Sequence, residues 1–141
     1  MMSTSETAVV ELVIPAKPEF VGVARLAILG VASRMKLSYD EVEDVRLAVG
    51  EACTTAVERA MKAHKTDTNI TIRSEIVDSK LTIEVADQIE RIPEPEKTTK
   101  SPEDLDEQNL GALLMELLVD EFNVEQTANG GTLVRMTKYA G

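Results

Sequence analysis

The sequence predicts an α+β protein, a two-layer α/β sandwich with helices on one face of a mixed, mostly antiparallel sheet. Three observations predict it. Strand patterns come in consecutive pairs, Thr68 to Ile76 with Lys80 to Asp87, and Phe122 to Thr127 with Gly131 to Tyr139. Neighbours joined by short turns pair antiparallel. Helical periods begin near Glu19 and Ser38, before the first pair, and near Leu110, between the pairs, and such helices need a sheet face on which to bury their apolar stripes. Hydrophobic residues make up 43% of the chain but aromatics only 3%, so the core is aliphatic.

Residues 1 to 7 are small and polar and predict a frayed end. Residues 8 to 14, AVVELVI, are rich in β-branched side chains and predict a strand that Pro15 and Pro18 stop. Glu19 to Met35 carries Phe20, Val23, Leu26, Ala27, Val31 and Met35 at helical spacing, with Arg25 interrupting the apolar run. Ser38 followed by Glu41 is a capping-box pattern that opens the central helix.

That helix holds the stretch Asp44 to Lys62, DVRLAVGEACTTAVERAMK. Val45, Val49, Ala52, Ala56 and Ala60 form its apolar stripe, and Asp44, Glu51, Thr55, Glu58 and Lys62 the other face. Glu51 and Thr55 lie four apart and so share a side. Ala48, Gly50, Ala52, Cys53, Thr54 and Ala56 are small enough to admit a close neighbour. His64 falls in a polar connection and reads as an exposed side chain.

Ile70, Ile72, Ser74 and Ile76 alternate on one strand and Leu81, Ile83 and Val85 on the next, with a turn at Asp78-Ser79. Residues 88 to 109 hold three prolines and many charges without a period, which predicts a lid-like loop. Leu110 to Glu121 predicts a short apolar helix, and Asn129-Gly130 a hairpin turn between the last two strands.

The chain of 141 residues suits a single domain, 1–141. A net charge of −10 argues against direct nucleic-acid binding, which needs a basic footprint, and suits a partner with a basic surface. Cys53, the sole cysteine, allows no internal disulfide and reads as a packed thiol. With no long apolar run and no basic leader, the expectation is a cytoplasmic protein that does not enter a membrane.

The central helix resembles the N-box helix of the ATPase superfamily shared by gyrase B, histidine kinases and bacterial anti-sigma kinases. That motif runs Glu, three residues, Asn, Ala, then often His-Ala; here it is Glu51, Thr55, Ala56 and Arg59-Ala60. The resemblance covers nearly the whole chain. It is nearest to the anti-sigma factor/serine-protein kinases that control the general-stress sigma factor, sigma-B, through residues 15–62, LLMELLVDEF at 113–122 and GGTLVRMTKY at 130–139.

The resemblance implies a histidine kinase-like ATPase fold, ATP or ADP and Mg²⁺ as ligands, and a homodimer that sequesters a sigma factor. An anti-anti-sigma protein competes for it and is phosphorylated on serine. Glu51 matches the catalytic carboxylate and Thr55 the Mg²⁺-ligating Asn. Asp87 matches the Asp that binds the adenine amino group, Gly111 a phosphate-loop glycine and Thr132 the Thr near adenine. Arg25 matches an Arg that contacts the sigma factor. Departures fall at Thr55, at Ile89 and Arg91 after Asp87, and at Gln108 and Asn109 before Gly111. They imply a relaxed or abandoned kinase site in a protein whose role is binding. Ile89 and Arg91 are expected to put bulky side chains where backbone would approach a nucleotide. Two other readings stay open: an active kinase with Thr55 at the metal, and a non-catalytic domain of this fold binding another signalling partner.

Overall fold

A computed structural model describes residues 7–89 and 107–140, side chains of 107–109 excepted. The elements run β1 (Thr7–Pro15), a 3₁₀ turn (Pro18–Phe20), α1 (Val21–Ala32), α2 (Tyr39–Lys62), β2 (Asn69–Val77), β3 (Lys80–Ala86), α3 (Glu107–Leu118), β4 (Glu121–Gln126) and β5 (Thr132–Tyr139). The five strands form one sheet in the order β1-β2-β3-β5-β4. All four pairings are antiparallel, so the sheet is not mixed as the sequence suggested. The long connection from β3 through α3 lets β5, not β4, take the place beside β3.

One face of the sheet is buried under the helices. Ile14, Ile70, Ile72, Leu81, Ile83, Val85, Val134 and Met136 meet Val21, Ala24 and Ile28 of α1 and Val45, Val49, Ala52 and Ala56 of α2 in one core. Each fully buried Ile or Leu contributes about 1.5–3 kcal/mol, so this aliphatic layer supports the fold without large aromatics. The other face carries a single register line across all five strands, Glu11, Arg73, Glu84, Arg135 and Asn123. Arg135 pairs Glu84 at 2.8 Å and Glu125 at 3.1 Å, and Arg73 pairs Glu75 at 2.8 Å. Alternating charge explains why that face needs no second helical layer.

Helix α2 is the centre of the structure because its side chains are small. Val42, Val45, Ala48, Val49, Gly50, Ala52, Cys53, Thr55, Ala56, Val57 and Ala60 are all buried. Sheet, α1 and α3 close on it from different sides. The Ser38–Glu41 capping box forms as the sequence predicts, with Glu41 N donating to Ser38 Oγ at 3.1 Å and Ser38 N to Glu41 Oε1 at 2.9 Å. At the other end the Lys65 amide donates to Ala60 O at 2.8 Å and the His64 amide to Met61 O at 3.2 Å. This is a Schellman turn, and it holds the exposed His64 at φ 55°.

Several boundaries differ from expectation. Thr7 is not frayed but pairs with Val77. The first helix is shorter than Glu19 to Met35, because a 3₁₀ turn enters it and the Ser33 hydroxyl donates to Leu29 O at 2.6 Å where it ends. Helix α3 spans Glu107–Leu118, so residues 107–109 are helical and not loop. Glu121 joins the sheet instead, since the Asp120 amide donates to Thr137 O at 2.9 Å and Asp120 Oδ2 accepts from the Tyr139 amide at 2.7 Å. Most of the predicted lid, 90–106, lies outside the described residues.

Candidate functional site

Four residues on one side of α2 and at the end of β3 define the site. Glu51, Thr55 and Arg59 stand at successive i, i+4 positions, about 6 Å apart along the helix. Beyond Arg59 lies Asp87, just past β3. Its side chain is 1% exposed.

Asp87 is held by four donors. Its Oδ1 accepts the Ile89 amide at 3.1 Å and the Thr132 amide at 3.2 Å. Its Oδ2 accepts Arg59 Nη2 at 2.6 Å and Nε at 3.1 Å. The Asp87 amide in turn donates to Thr132 O at 3.0 Å. Thr132 is 2% exposed, and its Oγ1 is buried with no hydrogen-bond partner among the described residues. The pairing of β3 with β5 thus brings together Asp87 and Thr132, 45 residues apart. Gly131 makes the approach feasible, because a Cβ there would overlap the Asp87 carbonyl.

Glu51 is at the other end of the column, against α3. A Cβ on Gly111 would lie 2.5 Å from Glu51 Oε1, so the bare glycine lets α3 close over the carboxylate. Thr55 is 9% exposed, and its hydroxyl donates to Glu51 O at 2.9 Å, one turn back in its own helix. Its lone pairs stay available, its proton does not.

The expected site residues therefore fall into two groups on one helix face: Asp87 with Thr132, and Glu51 with Gly111, with Thr55 between. Ile89 is 4% exposed and belongs to the core, and its amide takes part in the site. Arg91 lies outside the described residues, as do the side chains of Gln108 and Asn109. Sequence reasoning missed Arg59 as a site residue, although it continues the i, i+4 series of Glu51 and Thr55. It also missed Gly131, which the Gly130-Gly131 pair signalled.

Arg25 sits elsewhere, in the seam between α1 and α2. Its guanidinium lies on Gly50, in the space a Cβ would need. Its Nε is buried with no hydrogen-bond partner among the described residues. Around it Glu19, Gly22, Val23, Leu26, Leu29 and Arg46 line an open depression of about 500 Å³. Val23 and Leu26 are 44% and 69% exposed. Next to Gly50 in space, Cys53 is fully buried, and burial pushes its thiol up to about 12. It is a packing residue, as the sequence suggested.

An adenine nucleotide and Mg²⁺ meet this arrangement unevenly. An ionised carboxylate offers about four acceptor positions, and all of those of Asp87 are taken. As arranged, Asp87 has no lone pair for an adenine amino group. The orphaned Thr132 hydroxyl does want a partner. No group of three or more His, Cys, Asp and Glu that could hold a metal occurs among the described residues. Glu51 and the Thr55 lone pairs would supply one or two of the six oxygens of a Mg²⁺ shell, with water and phosphate supplying the rest.

The model of the histidine kinase-like ATPase domain matches residues 14–138. A serine-protein kinase RsbW of Bacillus licheniformis is 41% identical over 138 residues, covering 92% of this chain and 84% of that protein. A serine-protein kinase RsbW of Bacillus subtilis is 40% identical with the same coverage. A crystal structure of the RsbU and RsbW domains of Rv1364c from Mycobacterium tuberculosis superposes with a TM-score of 0.69 at 16% identity, over 94% of this chain and 32% of that one, a likeness of fold. No helix among the described residues is long and apolar enough to cross a membrane. The chain belongs to the histidine kinase-like ATPase domain family, with the RsbW serine-protein kinases as its relatives.

Proposed function

We propose that this protein is an anti-sigma factor that sequesters a stress-type sigma factor by partner switching, working in the cytoplasm as a homodimer. The observation that carries the proposal is the 41% identity to a serine-protein kinase RsbW across 92% of the chain. The α1 surface suits the binding role. Val23 and Leu26 offer apolar area, and Arg25 offers a half-buried guanidinium whose Nε lacks a partner. The terminal nitrogens of that guanidinium would donate charge-assisted bonds to a carboxylate or carbonyl of a docked helix. Gly50 beneath holds the side chain in place, so little side-chain entropy is lost on docking. The net charge of −10 complements a partner with basic surfaces.

Binding of this kind needs a surface and no phosphoryl transfer. The site on α2 supports the same emphasis, because Arg59 and two main-chain amides fill the Asp87 carboxylate. Phosphorylation of an anti-anti-sigma protein on serine is the family activity, with Glu51 at the carboxylate position. The test is competitive capture. The immobilised protein should retain a sigma-B-type sigma factor and release it when an unphosphorylated anti-anti-sigma protein is added. Retention that the competitor leaves unchanged would rule out partner switching.

A further inference from the structure

We propose that Arg59 occupies the purine-amino position at Asp87 and so sets the nucleotide affinity and base selectivity of this site. The inference rests on reading Asp87 and Thr132 as the base-binding end. Four N–H groups fill the Asp87 carboxylate. Two of them are main-chain amides, Thr132 at the start of β5 and Ile89 in the segment after β3, and have no side-chain stem on which to swing away. The other two belong to Arg59, a long side chain that is 18% exposed and can swing out on its stem. Two of its three nitrogens, Nε and Nη2, bond the same oxygen, Oδ2. That oxygen is the one position where an exocyclic amino group of a base can enter.

A second observation points to a ligand there. Thr132 Oγ1, on the residue whose amide already bonds Asp87, is buried and has no partner among the described residues. A bound purine would supply one. Arg59 thus imitates half of the ligand's contacts and leaves the other half unmade. A base with an amino group must displace it. A 6-oxo purine instead brings an acceptor, which Arg59 can meet without leaving Asp87 bare.

The experiment is calorimetric titration of the full chain with Mg-ADP and Mg-inosine diphosphate, comparing the unmodified protein with Arg59→His and Arg59→Ala. Removal of a charge-assisted competitor should tighten Mg-ADP binding by about tenfold or more, with a much smaller gain for the inosine nucleotide. Far-ultraviolet circular dichroism confirms folding of each variant, and Arg59→His guards against loss of the Ala form. Equal Mg-ADP affinity with and without Arg59, or no detectable binding by either folded variant, overturns the role of Arg59. Adding Asp87→Ala to Arg59→Ala tests the underlying reading separately. Loss of the gained affinity supports recognition at Asp87, and its survival places the base elsewhere and overturns both.

Discussion

The Cα of Gly131 rests against the carbonyl oxygen of Asp87, leaving no room for a Cβ. This contact joins the start of β5 to the end of β3 and lets the Thr132 amide reach Asp87 Oδ1 at 3.2 Å. Gly131→Ala should therefore push two backbones apart. We expect a loss of about 1–3 kcal/mol, the usual range for overpacking a tight site. Gly130→Ala is the comparison, since its φ of 85° makes an added Cβ strain the turn. Chemical denaturation of both variants measures the costs, and amide exchange at Thr132 should rise in Gly131→Ala alone. Unchanged Thr132 protection would show that the contact does not hold the site.

Glu51 and Gly111 form a second such pair, and it predicts non-additivity. Gly111→Ala gains about 1 kcal/mol of helix propensity but drives a methyl group to within 2.5 Å of Glu51 Oε1. The single change should be close to neutral. With Glu51→Ala in place the obstacle is gone and the propensity gain should appear. A double-mutant cycle in urea should give a coupling of about 1 kcal/mol. Additive effects would mean that α3 does not close on Glu51.

Cys53 makes stability depend on alkaline pH. Burial raises the folded thiol from 9.0 to about 12. Above pH 9 the unfolded chain gives up its thiol proton and the folded chain keeps it. The unfolded state then binds fewer protons, so stability is full below that pH and falls as pH rises toward 12, by about 1.4 kcal/mol per unit for this group. Unfolding measured from pH 8 to 10.5 should show a steeper decline in the unmodified protein than in Cys53→Ala. Parallel curves would contradict the burial of the thiol.

His64 holds a left-handed conformation, φ 55°, in the Schellman turn after α2. Glycine adopts it without the Cβ penalty, so His64→Gly should stabilise the protein by about 1 kcal/mol. A lower melting temperature would mean that the exposed imidazole makes a contact the turn geometry hides.

The order of elements was legible because each has its own local signal. Ser38 with Glu41 marked the start of α2, and alternation over Ile70 to Ile76 and Leu81 to Val85 marked a hairpin. The ends of α3 were misplaced because the last turn of an apolar helix and the first residue of a strand differ only in long-range partners. Here Asp120 and Tyr139 decide it. Asp87 and Thr132 were each singled out by resemblance, but only the pairing of β3 with β5 shows that they touch. Arg59 was legible only as the residue at the His position of the N-box motif, and its partner is 28 residues away. The sequence marked Ile89 only as a bulky side chain near the site, and its membership of the core and its amide bond to Asp87 are set by the fold. The small side chains of α2 did foretell a close neighbour, which is Arg25 on Gly50.

Sigma-factor capture through α1 is the central claim, and direct titration tests it best. A sigma-B-type sigma factor titrated calorimetrically into the nucleotide-free protein should bind at micromolar affinity or tighter. Leu26→Glu, which changes a 69% exposed side chain, should weaken binding by about 2 kcal/mol or more, with little effect on melting temperature. Arg25→Ala should weaken it comparably. Binding that both variants leave intact, or no binding by the folded unmodified protein, would contradict the account.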